Sequence, residues 1–174
     1  ATAQIELFKP GTGGDTVSFT VAAPTGEPPV GTAFCSGDGT GTFCPCFNFG
    51  DAGHGCSNGA FFQGCELRAT GDASVSSDTL VLDVVLAISG QPGLFFQGDQ
   101  MVNGGNGITF GDGLRCAGGS VVRLEIVTPT GAGLAQSTIP IGTNGQVSAG
   151  DTRFYQFWYR DPNTSPCGQL FNLS

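Results

Sequence analysis

Seven cysteines carry the most evident chemistry of this sequence, and four of them fall between residues 35 and 56. That segment has almost no strand pattern, and such a cysteine density in a Gly-rich chain indicates a disulfide framework from an oxidising compartment. Six cysteines would form about three bridges, whose pairing the sequence leaves open. The remaining thiol would be either free and buried or bonded to a second subunit. Because only Pro45 separates Cys44 from Cys46, we expect each to pair elsewhere.

The same segment contains residue types that bind zinc, namely Cys44, Cys46, His54 and Cys56. Structural zinc sites usually space paired ligands by about two to four residues, and the C-x-C and H-x-C pairs here are tighter. The other cysteines of the chain therefore favour disulfides over a zinc site.

Two GDG motifs place Asp38 and Asp112 in Gly-rich loops, where carboxylate oxygens are suitable ligands for Ca²⁺. Asp and Gly are also ordinary turn residues, and no loop has the ligand spacing of an EF-hand. We therefore favour turns, and calcium at Asp38 and Asp112 remains the alternative. No other metal or cofactor is expected.

Catalytic constellations are hard to assemble from this sequence. His54 is its only histidine and lies among Cys and Gly in GDAGHGC, and no G-x-S-x-G motif is present. No pair of carboxylates stands out as a glycosidase pair, and no Gly-rich phosphate loop opens a helix. We expect the protein not to be an enzyme.

Aromatic residues offer a binding alternative. Tyr155, Trp158 and Tyr159 could form a platform for sugars, together with the pairs Phe61–Phe62 and Phe95–Phe96. Alternate members of the segment FYQFWY would equally fill the core of a β-sheet protein, which is the interpretation we favour.

Composition and charge narrow the function classes. The chain has 174 residues, a length that fits one domain, and a net charge of −8 that disfavours nucleic acids as partners. Its arginines at 115, 123, 153 and 160 look too few and scattered for a polyanion patch. No apolar run reaches the roughly 18 residues of a membrane span. The first residue, Ala1, fits a mature chain whose leader was removed.

Short segments of β-type alternation, separated by Gly and Pro, predict the fold. We expect strands at 3–8, 16–22, 66–70, 79–88, 93–98, 120–128 and 152–160. In 120–128, Val122, Leu124 and Ile126 should share a face. The predicted fold class is all-β, a single disulfide-stapled, jelly-roll-like β-sandwich with a Cys/Gly-rich irregular loop segment. Residues 1–22 form an N-terminal strand segment, and 23–174 form the sandwich with a Cys-rich insertion at 35–65.

From about residue 34 onward the chain resembles a family of uncharacterised Gly/Cys-rich domains in predicted exported proteins of planctomycete-like bacteria. The resemblance rests on FCSGDGTGTFCPCFNFGDAGHGCSNGA, ELRATG, LFFQG, FGDGLRCAGGSVVRL, AGDTRFYQFWYRDP and SPCGQLFNLS. It implies a secreted, extracellular protein of the cell surface. Cys65 lies outside the pattern, which makes it the candidate for the unpaired or intermolecular cysteine. The disulfide candidates are then Cys35, Cys44, Cys46, Cys56, Cys116 and Cys167.

Members of that family usually continue past the FNLS-like segment into a last short strand, whereas this sequence stops at Ser174. A sheet that lacks its last strand has an open edge, which residues 1–22 of a neighbouring copy could complete by strand addition. We therefore expect a self-assembling structural protein of the cell exterior, a homo-oligomer or filament. Residues 3–22 could instead pair within their own domain. The alternative function is a secreted carbohydrate- or surface-binding module, similar to a lectin or adhesin.

Overall fold

The structure, a computed structural model, describes residues 3–6, 18–21 and 30–174, and for the two short ranges it describes the backbone. Its strands are β1 (Ala3–Glu6), β2 (Ser18–Val21), β3 (Glu66–Thr70), β4 (Val81–Val85), β5 (Gly93–Gly98), β6 (Gln100–Met101), β7 (Ile108–Phe110), β8 (Gly113–Arg115), β9 (Ala117–Gly118), β10 (Val122–Val127), β11 (Ala135–Gln136), β12 (Phe154–Arg160) and β13 (Phe171–Leu173). The helical elements in these ranges are a single α-helical turn, α1 (Ile141–Asn144), and two 3-10 turns, Pro45–Phe47 and Val102–Gly105. None of these helices is long and apolar enough to cross a bilayer.

Two larger antiparallel sheets organise the described residues. One has four strands in the order β10-β5-β12-β13, and the other has three in the order β11-β4-β3. Three small sheets pair β1 with β2, β6 with β9 and β7 with β8. The predicted all-β class with disulfides is confirmed.

Side chains from both larger sheets meet in the main hydrophobic core. Phe95 of β5 and Phe157 of β12 lie side by side, with ring centroids 4.7 Å apart. Gly93 leaves room for this arrangement, because a side chain at that position would overlap the Phe157 ring. The full set of buried core residues is Cys65, Leu82, Val84, Ala87, Phe95, Ile141, Phe157 and Tyr159.

A β-bulge in β10 changes which residues face the core. Arg123 lies opposite Phe96 and Glu125 lies opposite Phe95, so Leu124 is an extra residue in the ladder. Leu124 and Val127 pack against the core, whereas Ile126 is 73% exposed. The prediction that Ile126 shares a face with Leu124 is therefore wrong, because the extra residue shifts the alternation beyond it.

Three disulfides hold the segment that the sequence predicted to be irregular. They join Cys35 to Cys116, Cys44 to Cys56 and Cys46 to Cys167. Residues 35–65, all of which the structure describes, contain the 3-10 turn at Pro45–Phe47 and no strand. Cys44 and Cys46 pair elsewhere, as expected, and the thiols of Cys44, Cys46 and Cys56 are thereby unavailable as zinc ligands.

The N-terminal strands pair with each other. Ala3 lies opposite Val21 and Glu6 opposite Ser18, in a two-stranded sheet of their own. The proposed boundary between residues 22 and 23 lies outside the described residues, as do residues 7–8 of the first predicted strand and residues 16–17 and 22 of the second.

Candidate functional site

A cavity of about 1530 Å³ is lined by two strand segments, β3 and residues 154–156 of β12, which we call its walls. Ser174 lies among its lining residues. We call this space the edge slot.

The β12 wall of the edge slot carries backbone groups that the β-ladder leaves open. The N–H of Ser174 donates to the carbonyl oxygen of Phe157 at 2.9 Å, and the N–H of Phe157 donates to Ser174 Oγ at 3.0 Å. Backbone groups alternate in direction along a strand, so those of Tyr155 point to the same side as those of Phe157. Strand β13 reaches only Trp158, Tyr159 and Arg160, so no described strand covers Tyr155 on that side.

The β3 wall is also a sheet edge. Strand β3 pairs with β4 along its whole length and ends the order β11-β4-β3. Arg68 Nη2 lies 2.6 Å from Glu66 Oε2 on this edge, and His54 Nε2 lies 3.5 Å from the same oxygen. The hydrogen bond from Arg68 lowers the pKa of Glu66. Charged side chains of this kind are a common device that discourages uncontrolled pairing at an exposed strand edge.

The floor of the edge slot is apolar. Leu67, Ala69, Leu80 and Tyr155 line the cavity, are only partly buried, and pack against the main core. Burial raises the pKa of the Tyr155 hydroxyl. The slot thus combines the open edge of β3, the open backbone groups of Tyr155 and an apolar base, which are the features that an added β-strand would use.

Asp78, which lines the edge slot, caps the start of α1. Its carboxylate accepts hydrogen bonds from the N–H of Gly142 at 2.6 Å, the N–H of Thr143 at 2.9 Å and Thr143 Oγ1 at 2.7 Å. These bonds lower the pKa of Asp78, and the bond from the Thr143 hydroxyl has the largest effect. This cap could not be predicted from local sequence, because Asp78 and Thr143 lie 65 residues apart.

The three residues proposed as an aromatic face do not share one. Tyr155 and Tyr159 lie on the core side of β12, and Tyr159 is fully buried with its hydroxyl accepting a hydrogen bond from Asn58 Nδ2 at 2.9 Å. Trp158 lies on the opposite side, where its ring centroid is 5.7 Å from that of Phe171. The proposed platform is therefore wrong, because strand alternation separates Trp158 from the two tyrosines.

Both calcium candidates have hydrogen-bond donors around their carboxylates. Asp38 accepts from the N–H and hydroxyl of Thr40 at 3.0 and 2.6 Å. Asp112 is fully buried and accepts from Ser165 Oγ and from the N–H groups of Cys167 and Gln169. The described residues contain no cluster of three or more His, Cys, Asp or Glu side chains that could hold a metal.

Cys65 is the cysteine without a disulfide, and its exposed fraction is 0%. It lies in the main core beside Tyr159 and Phe157, so it corresponds to the free and buried thiol rather than to the link between subunits. Burial raises the pKa of the Cys65 thiol far above its ordinary value.

Sequence reasoning missed a second surface feature. Three of the arginines that look scattered along the sequence, Arg115, Arg123 and Arg160, line one groove on the outer side of the four-stranded sheet. They come from β8, β10 and β12, so only the fold brings them together.

Comparison with known proteins adds no relative to this picture: no family model, no curated protein and no solved structure matches the chain.

Proposed function

We propose that the protein is a non-catalytic structural protein of the cell exterior that assembles by strand addition. The observation that carries the proposal is the edge slot, which is lined by the open edge of β3, by the part of β12 around Tyr155 that no described strand covers, and by apolar side chains. In strand addition, backbone hydrogen bonds supply affinity and alternate side chains fill pockets.

The donor is residues 1–22 of a neighbouring copy, in which β2 pairs with β1 on one side and has no described strand on its other side. The segment TVSFTVA at 16–22 alternates apolar and polar residues and is uncharged. One face of it would cover Leu67, Ala69 and Tyr155, and its backbone would pair with the open groups of Tyr155. Seven residues of extended chain span about 23 Å, which exceeds the length of the five-residue strand β3.

Such a contact joins different surfaces of two identical copies. A heterologous contact closes into a ring only if its rotation permits, and otherwise it continues as a filament. The placement outside the cell rests on the three disulfides, which form and persist in oxidising compartments.

The experiment compares the non-reduced full chain with two variants by light scattering after size-exclusion chromatography and by negative-stain electron microscopy. Ala69→Glu adds a carboxylate to the floor of the slot, whereas Gln136→Glu adds the same charge at an exposed position of β11, outside the slot. We expect assemblies from the full chain and from Gln136→Glu, and dispersed monomers from Ala69→Glu.

A second comparison tests the donor. Deletion of residues 1–22 should abolish the assemblies, and shuffling residues 16–22 within the full chain should do the same because it removes the alternation. A full chain that remains monomeric at all concentrations overturns the proposal. Assemblies that persist in both donor variants overturn the assignment of the donor.

A further inference from the structure

The groove on the outer side of the four-stranded sheet has an aromatic floor. Its volume is about 680 Å³, and Leu94, Phe96 and Trp158 contribute the sheet side chains of the floor. Phe171 lies next to Trp158, and Phe110 follows at a centroid distance of 5.2 Å from Phe171. Trp158 is partly exposed here and is the only tryptophan of the chain.

The rim of this groove is cationic. Arg115, Arg123 and Arg160 line it, and no Asp or Glu is among its described lining residues. Within the described ranges the other two arginines, Arg68 and Arg153, each form a salt bridge, whereas the three groove arginines form none. The chain as a whole has 14 acidic residues against 6 basic ones, so three arginines free of carboxylates on one surface reverse the local charge.

The β10 bulge helps to build the rim. Arg123 precedes the extra residue Leu124 and lies opposite Phe96, while Ile126 follows it and lies opposite Leu94. Both therefore point to the outer side of the sheet. Arg115, which comes from β8, is oriented by a hydrogen bond from its Nε to the carbonyl oxygen of Ala117 at 3.3 Å.

We propose that this groove binds a short stretch of an acidic polysaccharide, with a sugar ring on Trp158 and its carboxylate or sulfate groups on the arginines. An indole offers a flat apolar face to the C–H groups of a sugar, and a guanidinium binds carboxylate or sulfate oxygens through paired N–H donors. Because the groove has three arginines, it can pair with about three anionic groups, which a short acidic oligosaccharide supplies.

A nucleic acid fits less well, although its bases also stack on aromatic rings. It carries a phosphate at every nucleotide, and the net charge of −8 repels such a dense polyanion beyond the groove. A second copy of the chain is the remaining candidate, and dilution of the protein distinguishes it from a sugar ligand.

Trp158 is also the probe for the test. Its fluorescence in the full chain is followed during titration with oligogalacturonate, with dextran sulfate and with neutral dextran at equal sugar concentration. We expect a saturable change with at least one of the two acidic sugars, no change with neutral dextran, and a weaker response at high salt because ionic contacts are screened.

Matched variants locate the site. Arg123→Gln removes a groove cation and should weaken binding by about tenfold. Arg153→Gln removes one cation outside the groove and should leave the affinity within about twofold. The fluorescence of Trp158 before titration shows that each variant retains the folded groove.

Several results would overturn the proposal. These are an absent response to both acidic sugars, an equal response to neutral dextran, or equal losses in Arg123→Gln and Arg153→Gln. Tighter binding of polyuridylate than of either acidic sugar would assign the groove to nucleic acid instead. A Trp158 change on simple dilution of the protein would assign it to contact between copies.

Discussion

The buried side chain of Gln156 accepts a hydrogen bond from the backbone N–H of Cys116 at 2.9 Å. The same carboxamide donates to the carbonyl oxygens of Leu114 at 2.7 Å and Ser174 at 2.8 Å. A single side chain of β12 thus bonds both the backbone next to the Cys35–Cys116 disulfide and Ser174, the residue that follows β13.

Replacing Gln156 by Leu should destabilise the fold by about 3 kcal/mol, because buried backbone groups at 114 and 116 lose their partner and gain no water. Urea unfolding of the non-reduced protein measures the difference. Gln100→Leu is the control, since Gln100 is exposed. Equal midpoints for Gln156→Leu and the wild type would show that the carboxamide is dispensable.

The Cys65 thiol should be inert in the folded protein. Its complete burial and raised pKa leave little thiolate and no access for a reagent. Ellman's reagent should find no free thiol in the native, non-reduced protein and one per chain after denaturation. A native thiol that reacts within seconds would contradict the placement of Cys65 in the core.

The Asp78 cap should make part of the stability dependent on pH. Its folded-state pKa is lowered, so its contribution is present above the ordinary Asp pKa and is lost as the pH falls through the folded-state value. Asp78→Asn should therefore be less stable than the wild type at about pH 7, and the gap should close towards about pH 2. Thermal unfolding at both pH values measures the gap, with the exposed Asp72→Asn as control. A gap that is constant with pH would exclude this role of the carboxylate.

Asp112 should have a structural role, because its carboxylate accepts hydrogen bonds from the loop that contains Cys167. Asp112→Asn weakens the bonds from Ser165 Oγ and from the Cys167 and Gln169 N–H groups, and we expect a loss of about 2 kcal/mol in urea unfolding. The midpoint of urea unfolding of the wild type should be the same in Ca²⁺ as in EDTA, because hydrogen-bond donors surround the Asp112 carboxylate. A calcium-dependent increase that Asp112→Asn removes would restore the calcium hypothesis.

Local pattern was sufficient to predict several strands of the two larger sheets. The segments at 66–70 and 93–98 appear as β3 and β5 with the expected bounds. The segment at 79–88 shortens to 81–85, and Leu86, directly after β4, has a left-handed backbone with φ of 62°. Short strands such as β6 and β13 have two or three residues and carry too little alternation to be recognised.

The candidate sites depend on pairing, which one sequence does not encode locally. Arg123 and Arg160 lie on strands that flank β5, and this order rather than their separation in the chain puts them on one groove. The bulge at Leu124 exists only relative to β5. The jelly-roll connectivity, the assembly and the secretion of the protein remain predictions.

The position of the Cys46–Cys167 bond has a mechanical consequence. It joins residues 121 apart in sequence, whereas Val30 and Ser174 lie outside the loop that it closes. A pulling force applied at those two residues would run to Cys46, cross the bond and leave through residues 167–174. Every strand from β3 to β12 would be bypassed and could not unravel under tension. Chemical reduction would remove this shortcut, and the same force would then extend residues 47–166 as well.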